Sequence, residues 1–342
     1  MKKIKMGVIG AGNCAAVHCK SVYEGEFTEL VMACDVSEER RKEFVDKYNL
    51  PCASDYREVL ANREIEAISV AVPDQLHCEI VCAALRAGKH VLCEKPMALN
   101  LDECKKMLEV SRETGKELMI GQVCRFTPSF VKAKELVDAG EIGELVFIEG
   151  EYAHDYSKMS PGNWRASKER HGLIGGGCHS VDYLRWVAGD PLEVFGYGSH
   201  KMLKNFSTDD CTIAVLKFPD NVLGKVFCST GCKRNYTMRT VIYGTKGTIV
   251  MDNTSDYMTL FKEEFNGEET LFGSSAKTVK IELPVEVNNH NIQGEVNSFA
   301  RGIAENGKPE ISGKEGAQTI AVCTAIINSV KSGSPEKVDY NF

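Results

Sequence analysis

The chain has 342 residues, of which 43% are hydrophobic and 26% are charged, and its formal net charge is -7. That length allows two domains with separate cores, and the composition is typical of a globular protein. The negative balance argues against nucleic acid or an anionic membrane surface as the main partner. Because no apolar run reaches 18 residues, the sequence predicts no membrane-spanning helix.

An apolar strand near the start of the chain leads directly into a Gly-x-Gly-x-x-Ala turn and then into a helical pattern. Gly10 permits the tight turn, Gly12 lets the backbone approach a pyrophosphate, and Ala15 lets the helix pack closely on the strand. The first N–H groups of the helix, at Asn13 and Cys14, face the anion. This stretch predicts a dinucleotide site.

The second predicted strand, 30–34, ends at Asp35, which lies 23 residues after Gly12. A carboxylate at this position can accept hydrogen bonds from both hydroxyls of an adenosine ribose. It would also repel a 2′-phosphate. The pattern therefore favours NAD over NADP as the cofactor.

Strands and helices continue to alternate up to residue 122. The pattern predicts a parallel sheet covered by helices on both faces, a Rossmann domain over residues 1–122. Two of its strands end in polar clusters: one before Pro73-Asp74-Gln75-Leu76-His77, and one at Glu94-Lys95-Pro96. Ligands bind at the carboxyl ends of such strands, so Lys95 is a candidate to stabilise a developing alkoxide.

Strands dominate the rest of the chain, and apolar and polar residues alternate at 192–197, 211–218 and 225–228. Alternation predicts a large, open, mostly antiparallel sheet with one buried and one exposed face. We expect a second α/β domain, 123–342, that binds substrate and mediates oligomerisation, with a partner subunit covering the open face. The predicted helix 314–332 could pack back on the first domain.

A glycine-rich segment at 172–177 runs into a predicted helix that carries His179 and Asp182 on one face. Histidine is the natural group to accept a hydroxyl proton near neutral pH, so His179 is a candidate general acid/base.

Fourteen cysteines are scattered along the chain without a Cys-x-x-Cys pair. We interpret them as small buried side chains kept reduced in a cytoplasmic protein. Cys78 and Cys82 are four residues apart and would share a helix face, so a metal site there is the alternative. The expectation is that the protein holds no metal ion.

Taken together, these motifs resemble the Gfo/Idh/MocA oxidoreductase family across essentially the whole chain. The matching segments are Gly10-Ala11-Gly12, Asp35, 73–77, Glu94-Lys95-Pro96, Arg125-Phe126, 140–143, Trp164-Arg165 and 179–182. The resemblance implies NAD(P)-dependent oxidation of a sugar, sugar-derivative or polyol hydroxyl, or the reverse, in a homodimer or homotetramer formed through the C-terminal sheet.

The resemblance also implies roles for individual residues. Lys95 would be the catalytic lysine and His179 the general acid/base, while Glu94 would lie beside the nicotinamide ribose and Asp182 would reach the substrate. The further cofactor contacts are Gly10, Gly12, Asn13, Cys14, Asp35, Pro73, His77 and Lys95 itself. Further substrate candidates are Arg125, His154, Asp155, Trp164, Arg165 and Tyr236.

One position departs from the family pattern. Many members carry an aspartate four residues before the catalytic histidine, and this chain has Gly175 there. Either His179 works without that partner, or Asp182, Asp155 or the substrate takes its place.

Two alternatives to a simple dehydrogenase stay open at this point. An NAD-dependent enzyme of this fold can cleave a glycoside by transient oxidation and elimination. A non-catalytic NAD-binding sensor is the other alternative, since a fold does not determine a function, although the presence of both Lys95 and His179 argues against it.

Overall fold

The computed structural model describes residues 3–160, 162–270, 273–288, 290–305 and 308–342, with side chains outside 264–277. These residues form two compact units. The first contains the chain up to Val123 with Asn291–Thr324 and Tyr340–Phe342, and the second contains Cys124–His290 and Ala325–Asp339. The grouping differs from the contiguous domains 1–122 and 123–342 that the sequence suggests, because residues 291–324 return to the first unit.

The strands and helices follow one another along the chain without internal repeats. The strands are β1 (Ile4–Ile9), β2 (Thr28–Cys34), β3 (Cys52–Ala53), β4 (Ala67–Val70), β5 (His90–Glu94), β6 (Leu118–Gly121), β7 (Leu145–Ala153), β8 (Glu193–Ser199), β9 (Cys211–Lys217), β10 (Leu223–Ser229), β11 (Thr237–Gly244), β12 (Gly247–Asp252), β13 (Tyr257–Thr270), β14 (Gly273–Pro284) and β15 (Glu336–Lys337). The helices are α1 (Asn13–Glu24), α2 (Glu38–Tyr48), α3 (Tyr56–Ala61), α4 (His77–Arg86), α5 (Leu101–Thr114), α6 (Pro128–Asp138), α7 (Cys178–Ala188), α8 (Ile292–Ala304) and α9 (Gly313–Ser332).

The sheet of the first unit has the strand order β3-β2-β1-β4-β5-β6, and every neighbouring pair is parallel. This is the doubly wound order, in which the chain reverses direction across the sheet between β1 and β4. Ligands bind at the carboxyl ends of the strands beside that reversal. The predicted Rossmann sheet is confirmed.

Side-chain caps explain where several helices of the first unit begin. The Ser37 side chain accepts a hydrogen bond from the Arg40 N–H at 3.4 Å, and Asn100 accepts one from the Glu103 N–H at 2.9 Å. Both residues are predicted as caps from the sequence, because their oxygens satisfy N–H groups that lack helical partners.

The sheet of the second unit has nine strands in the order β14-β13-β12-β11-β7-β10-β9-β8-β15. Only the β7–β10 pair among these neighbours is parallel, so the predicted large, mostly antiparallel sheet is confirmed. The predicted hairpin at 241–250 is the β11–β12 pair, which turns between Gly244 and Gly247.

Helix α7 covers one face of this sheet. It lies so close to β7 that a Cβ on Gly150 would be 2.7 Å from a Leu184 methyl carbon and 3.2 Å from the Ser180 Cβ. Glycine at position 150 therefore sets the depth at which α7, and with it His179, lies on the sheet. On the far side of α7, the Tyr183 ring meets Phe130 of α6 edge-on, with ring centroids 4.7 Å apart.

The other face of this sheet carries apolar side chains that are exposed in the single chain. Val215 of β9 is 56% exposed, and the residues paired with the exposed positions of β9 share its face. They include Phe195 and Tyr197 on β8 and Phe227 on β10. The alternation predicted from the sequence is therefore present, with one face buried and the other open.

All fourteen cysteines are free thiols, which agrees with their interpretation as reduced side chains. Cys78 and Cys82 lie one turn apart on α4, as the sequence predicts, and both are buried.

Candidate functional site

The turn between β1 and α1 has a geometry that only glycine supports. Gly10 has a φ of +106°, and a Cβ there would lie 2.4 Å from the Ala71 carbonyl oxygen. Gly12 is the N-cap of α1 and supplies no side chain to its first N–H groups. Asn13 and Cys14, which begin the helix, are exposed. These features fit a site where backbone amides meet a pyrophosphate.

Asp35 lies directly after β2 and faces the glycine turn. Its two carboxylate oxygens accept hydrogen bonds from the Ala11 and Ser37 N–H groups, each at 2.8 Å, and the residue is 9% exposed. The arrangement orients the carboxylate at the position where an adenosine ribose would be bound.

Arg40 is a neighbour of this turn that the sequence analysis missed. Its guanidinium lies 3.9 Å from the Asp35 carboxylate, and a Cβ on Gly12 would be 2.2 Å from the same guanidinium. A cation in front of the turn complements phosphate charge. The signal in the sequence is the basic run at 40–42 after the Ser37 cap, which reads as an ordinary solvated helix face.

Pro73 and His77 lie after β4, where a short 3₁₀ turn, Asp74–Leu76, leads into α4. His77 is fully buried, with its ring nitrogens 2.8 Å from the Pro96 carbonyl oxygen and 3.1 Å from that of Val72. The imidazole thus joins the ends of β4 and β5. Its predicted role as a cofactor contact stays a prediction.

Glu94 ends β5 and is held by two donors. His18 of α1 lies with its Nε2 2.8 Å from Glu94 Oε1, and the Lys95 N–H donates to Oε2 at 3.0 Å. On the other side of the ring, Ser69 Oγ is 2.9 Å from His18 Nδ1. The hydrogen-bond network is satisfied when the serine hydroxyl donates to Nδ1 and Nε2–H donates to the carboxylate. Both Glu94 and the backbone of Lys95 are therefore fixed at the strand end.

One group of three potential metal ligands occurs among the residues that the structure describes. Ligand atoms of Cys14, His18 and Glu94 lie within 4.8 Å of one another. Because His18 and Glu94 already bond to each other, the geometry is accounted for without an ion.

In the second unit, His179 is the second residue of α7 and is 1% exposed. Its Nδ1 lies 3.8 Å from Cys124 Sγ, and its ring stacks on Tyr152 with centroids 6.0 Å apart. The ring of His290 meets it at 5.7 Å. His179 is therefore surrounded by aromatic rings, a second imidazole and a thiol.

An aromatic cluster extends from this histidine. The Tyr152 hydroxyl lies 3.1 Å from His154 Nδ1 and 3.0 Å from the Tyr156 hydroxyl. The Tyr236 and His290 rings stack with centroids 5.5 Å apart. Burial is the main cause that raises the pKa of Tyr152 and of Tyr236 well above the usual tyrosine value, so both phenols stay neutral.

The structure thus brings together two predicted substrate residues, His154 and Tyr236, with three that the sequence analysis missed: Tyr152, Tyr156 and His290. Residues 152, 154 and 156 are spaced by two, which is the spacing of side chains on one face of a strand. That spacing was a usable signal. His290 had none, because it precedes α8 and is far from the others in sequence.

Arg125 and Asp182 form a buried, two-pronged ion pair. The Arg125 Nε donates to one carboxylate oxygen at 2.9 Å and its terminal nitrogen donates to the other at 2.8 Å. They are 6% and 0% exposed. The pairing ties the segment before α6 to α7, and the structure adds no support to their predicted substrate contacts.

Asp155 is also engaged elsewhere. It accepts a hydrogen bond from the Ser157 N–H at 2.9 Å and lies 3.2 Å from the Lys233 ammonium. Hydrogen bonds from Ser157 lower the pKa of Asp155 to about 2, assisted by Lys233. Of the carboxylates considered as replacements at position 175, Asp182 and Asp155 therefore each have another partner.

Gly175 lies in a π-helical turn, Leu173–Gly177, directly before α7. A Cβ on Gly175 would be 2.0 to 2.4 Å from three guanidinium atoms of Arg170, which is 3% exposed. The space at this position is taken by a buried cation. Arg165 and Arg170 lie over the Trp164 ring at 4.2 and 5.1 Å, so that the predicted Trp164–Arg165 pair is present with a second arginine.

Two family models match the chain. "Oxidoreductase family, NAD-binding Rossmann fold" matches residues 4–122, and "GFO/IDH/MocA C-terminal domain" matches residues 130–250. Together these regions span more than half of the protein.

Relatives match over nearly the full length. An uncharacterized oxidoreductase of Bacillus subtilis is 26% identical over 99% of this chain and 98% of its own. Myo-inositol 2-dehydrogenase of Thermotoga maritima is 25% identical over 98% of this chain and 99% of its own. Levoglucosan dehydrogenase of Pseudarthrobacter phenanthrenivorans is 26% identical over 82% of each chain.

A solved structure of levoglucosan dehydrogenase in complex with NADH and levoglucosan has the same fold. Its TM-score is 0.85 at 24% identity, with 98% of this chain and 100% of that chain covered. In the described part of this protein, no helix is long and apolar enough to cross a membrane. The chain belongs to the Gfo/Idh/MocA family of oxidoreductases, and its first unit contains the family's NAD-binding Rossmann fold.

Proposed function

We propose that this protein is a dehydrogenase or reductase that uses NAD and acts on a hydroxyl or keto carbon of a sugar, sugar derivative or polyol. The observation that carries the proposal is the fixed Glu94–Lys95 strand end, on the same sheet edge as the glycine turn. Relatives named as myo-inositol 2-dehydrogenase and levoglucosan dehydrogenase support the substrate class.

Lys95 is the residue proposed to stabilise charge on the reacting oxygen. Its backbone N–H donates to the Glu94 carboxylate, so the residue starts from a fixed point at the carboxyl end of β5. An ammonium group held there can donate to a substrate hydroxyl and stabilise an alkoxide as it forms. Bound NAD supplies the redox chemistry by accepting or donating a hydride.

His179 is proposed to accept the hydroxyl proton during oxidation and to return it during reduction. The carboxylate common in the family at position 175 is replaced by glycine, and Arg170 takes its space. We therefore infer that His179 works without an aspartate partner. Cys124 and Tyr152 hold its ring on two sides, since both lie against it and are buried.

The aromatic cluster around Tyr152 is the surface proposed to take the sugar. The C–H faces of a pyranose or cyclitol ring are apolar and fit against Tyr156 and Tyr236. Neutral phenols and the imidazole of His154 supply hydrogen-bond groups for hydroxyls. Trp164, flanked by Arg165, is a further candidate.

NAD is proposed over NADP because the Asp35 carboxylate is held toward the glycine turn by two backbone donors. The remaining contacts proposed for the cofactor are Gly10, Gly12, Asn13, Cys14, Pro73, His77, Glu94 and Lys95. The free cysteines support a cytoplasmic location.

A homodimer or homotetramer through the open face of the nine-stranded sheet is also proposed. That face carries Tyr197, Ile213 and Val215, each more than two-fifths exposed in the single chain. Charged pairs are interspersed with them, such as Lys225 with Glu149. An apolar face with a few satisfied charges is suited to a second copy of the same sheet.

The test of the function is a panel of sugars, amino sugars, uronic acids, cyclitols and linear polyols, assayed by the absorbance of reduced cofactor with NAD and with NADP. Lys95→Met is expected to abolish turnover of the substrate found, while NAD binding measured by calorimetry persists. Near-normal turnover by Lys95→Met would exclude the role proposed for this lysine.

A further inference from the structure

A buried carboxyl group in the first unit is not used by the proposed reaction. Glu295 lies in the first turn of α8 and is 0% exposed. Neither of its carboxyl oxygens has a hydrogen-bond partner among the residues that the structure describes. An ionised carboxylate without partners is strongly disfavoured away from water, so the group is expected to keep its proton.

The carboxyl group of Glu295 lies against the ends of β5 and β6. A Cβ on Gly121, the last residue of β6, would be 2.8 Å from Glu295 Oε1 and 3.3 Å from Oε2. Gly121 pairs with Glu94 in the neighbouring strand β5. Glycine at position 121 thus leaves space for the acid beside the strand end that carries Glu94 and Lys95.

The elements packed against α8 are α1, β1, β5 and β6. From α1, His18 faces the site through its bond to Glu94, and β5 brings Cys93 and Glu94 followed by Lys95. Burial raises the pKa of the Cys93 thiol well above its usual value, so Cys93 is neutral.

The two remaining strands add no charge at this point. In β1 the titratable side chain is Lys5, which lies 3.9 Å from Glu64, and the sequence of β6 contains no titratable residue.

The balance of charges at this strand end explains why one acid stays neutral. Glu94 accepts bonds from His18 and from the Lys95 N–H, which stabilise it as an anion. Its charge is balanced by the ammonium of Lys95. A second ionised carboxylate would leave an uncompensated negative charge in a site shielded from water.

The pKa of Glu295 follows the same logic. Burial raises it well above the usual glutamate value, the charge of Glu94 raises it further, and Lys95 opposes them. The two nearest charges in the proposed machinery therefore act on this acid in opposite directions, and by reciprocity its charge acts on them.

We propose that Glu295 is a positioning residue that holds a proton beside the Glu94–Lys95 strand end and thereby sets how readily Lys95 gives up its own. While Glu295 is neutral, Lys95 faces the charge of one carboxylate instead of two. If the acid ionises at high pH, its proton passes to solvent and the new anion stabilises the Lys95 ammonium. The functional consequence rests on the proposed role of Lys95.

Infrared difference spectra of the full-length protein test the protonation directly. Subtracting Glu295→Gln from wild type is expected to show the C=O band of a protonated carboxylic acid at neutral pH. The pH at which this band disappears is expected to fall in a Glu94→Gln background, which removes an anion, and to rise in Lys95→Met, which removes a cation. Glu295→Met is the second reference if the amide destabilises the fold.

A carboxylate signal at neutral pH, or a titration that is the same in all three backgrounds, would overturn the inference. The infrared experiment needs no substrate. If Lys95→Met kept full turnover while the band still shifted, the proposed function would fail and the proton coupling would stand.

The kinetic consequence has a defined sign. Glu295→Gln cannot ionise, so its Lys95 never gains a second neighbouring anion and loses its proton at lower pH. The alkaline limb of the kcat profile is expected to move to lower pH, with the KM for NAD unchanged. The control is Ser298→Ala on the same helix, where a buried hydroxyl bonds Glu310 at 3.0 Å. An equal shift in that control, or no shift in Glu295→Gln, would contradict the coupling.

Discussion

The guanidinium of Arg170 occupies the space that a side chain at position 175 would need. Three of its atoms lie 2.0 to 2.4 Å from the place of a Cβ on Gly175, and Arg170 is 3% exposed. Where the family often has an aspartate, this protein therefore has a glycine and a buried cation. The substitution at position 175 is matched by a neighbour rather than left as a gap.

The relationship predicts that Gly175→Ala depends on Arg170. In the wild-type background the added methyl forces the guanidinium to move, and overpacking of this kind costs about 1–3 kcal/mol. In an Arg170→Ala background the space is free, so the same change is expected to cost much less. Urea unfolding of the four proteins of this double-mutant cycle measures the difference. Equal costs in both backgrounds would mean that the guanidinium is not what limits position 175.

The buried Arg125–Asp182 pair predicts a large loss of stability when one partner is removed. Asp182→Leu leaves an uncompensated buried guanidinium, and breaking such a pair costs about 3–5 kcal/mol. Glu135→Gln, which breaks an exposed pair with Lys132, is the control and is expected to cost about 0.2–1 kcal/mol. Denaturant midpoints compare the two. A similar small loss in both variants would indicate that Arg125 finds another counter-charge.

The glycine turn predicts opposite effects of two neighbouring charges on cofactor choice. Asp35→Ser is expected to weaken NAD binding by about tenfold or more, because a hydrogen bond to a charged group contributes about 1.5–3 kcal/mol. The same change is expected to improve NADP binding by removing repulsion. Arg40→Ala is expected to weaken NADP more than NAD, since its guanidinium lies over the turn. Fluorescence titrations with both dinucleotides measure the four affinities, and an unchanged ratio in Asp35→Ser would rule out its role in discrimination.

The open face of the nine-stranded sheet predicts the assembly state. Val215→Glu places a charge in the centre of the apolar face and is expected to shift the protein toward monomers in light scattering after size exclusion. Val45→Glu on α2, a valine that is 41% exposed in the first unit, is the matched control and is expected to leave the mass unchanged. A wild-type protein that is already monomeric at micromolar concentration would contradict the proposed interface.

The raised pKa of Glu295 predicts a pH-dependent stability difference. Its folded-state pKa lies above the unfolded value, so the stability it contributes is complete below the usual glutamate pKa and is lost as the pH rises toward the folded value. Glu295→Gln removes this dependence. The melting temperature of the variant relative to wild type is therefore expected to increase from pH 5 to pH 8, in a series of thermal melts. A difference that does not change with pH would mean that Glu295 is ionised in the folded protein.

Several features follow from the sequence alone because they depend on neighbours along the chain. The glycine turn requires particular backbone angles at Gly10, and the caps at Ser37 and Asn100 act on N–H groups three residues away. Strand alternation likewise has a period of two residues, so the exposed and buried faces of β9 could be assigned before the structure. The fold class and the family follow from such local patterns.

The tertiary structure decided what local patterns do not contain, namely which distant side chains share one site. Arg125 meets Asp182 across 57 residues, His179 meets His290, and Glu295 reaches the strand end of Glu94. The return of residues 291–324 to the first unit has the same origin. Burial and pairing set the charge of such groups, and both depend on contacts between segments far apart in the chain. Reading Asp182 as a substrate residue and overlooking Arg170 have this physical cause, whereas the glycine turn, with angles determined locally, was read from the sequence.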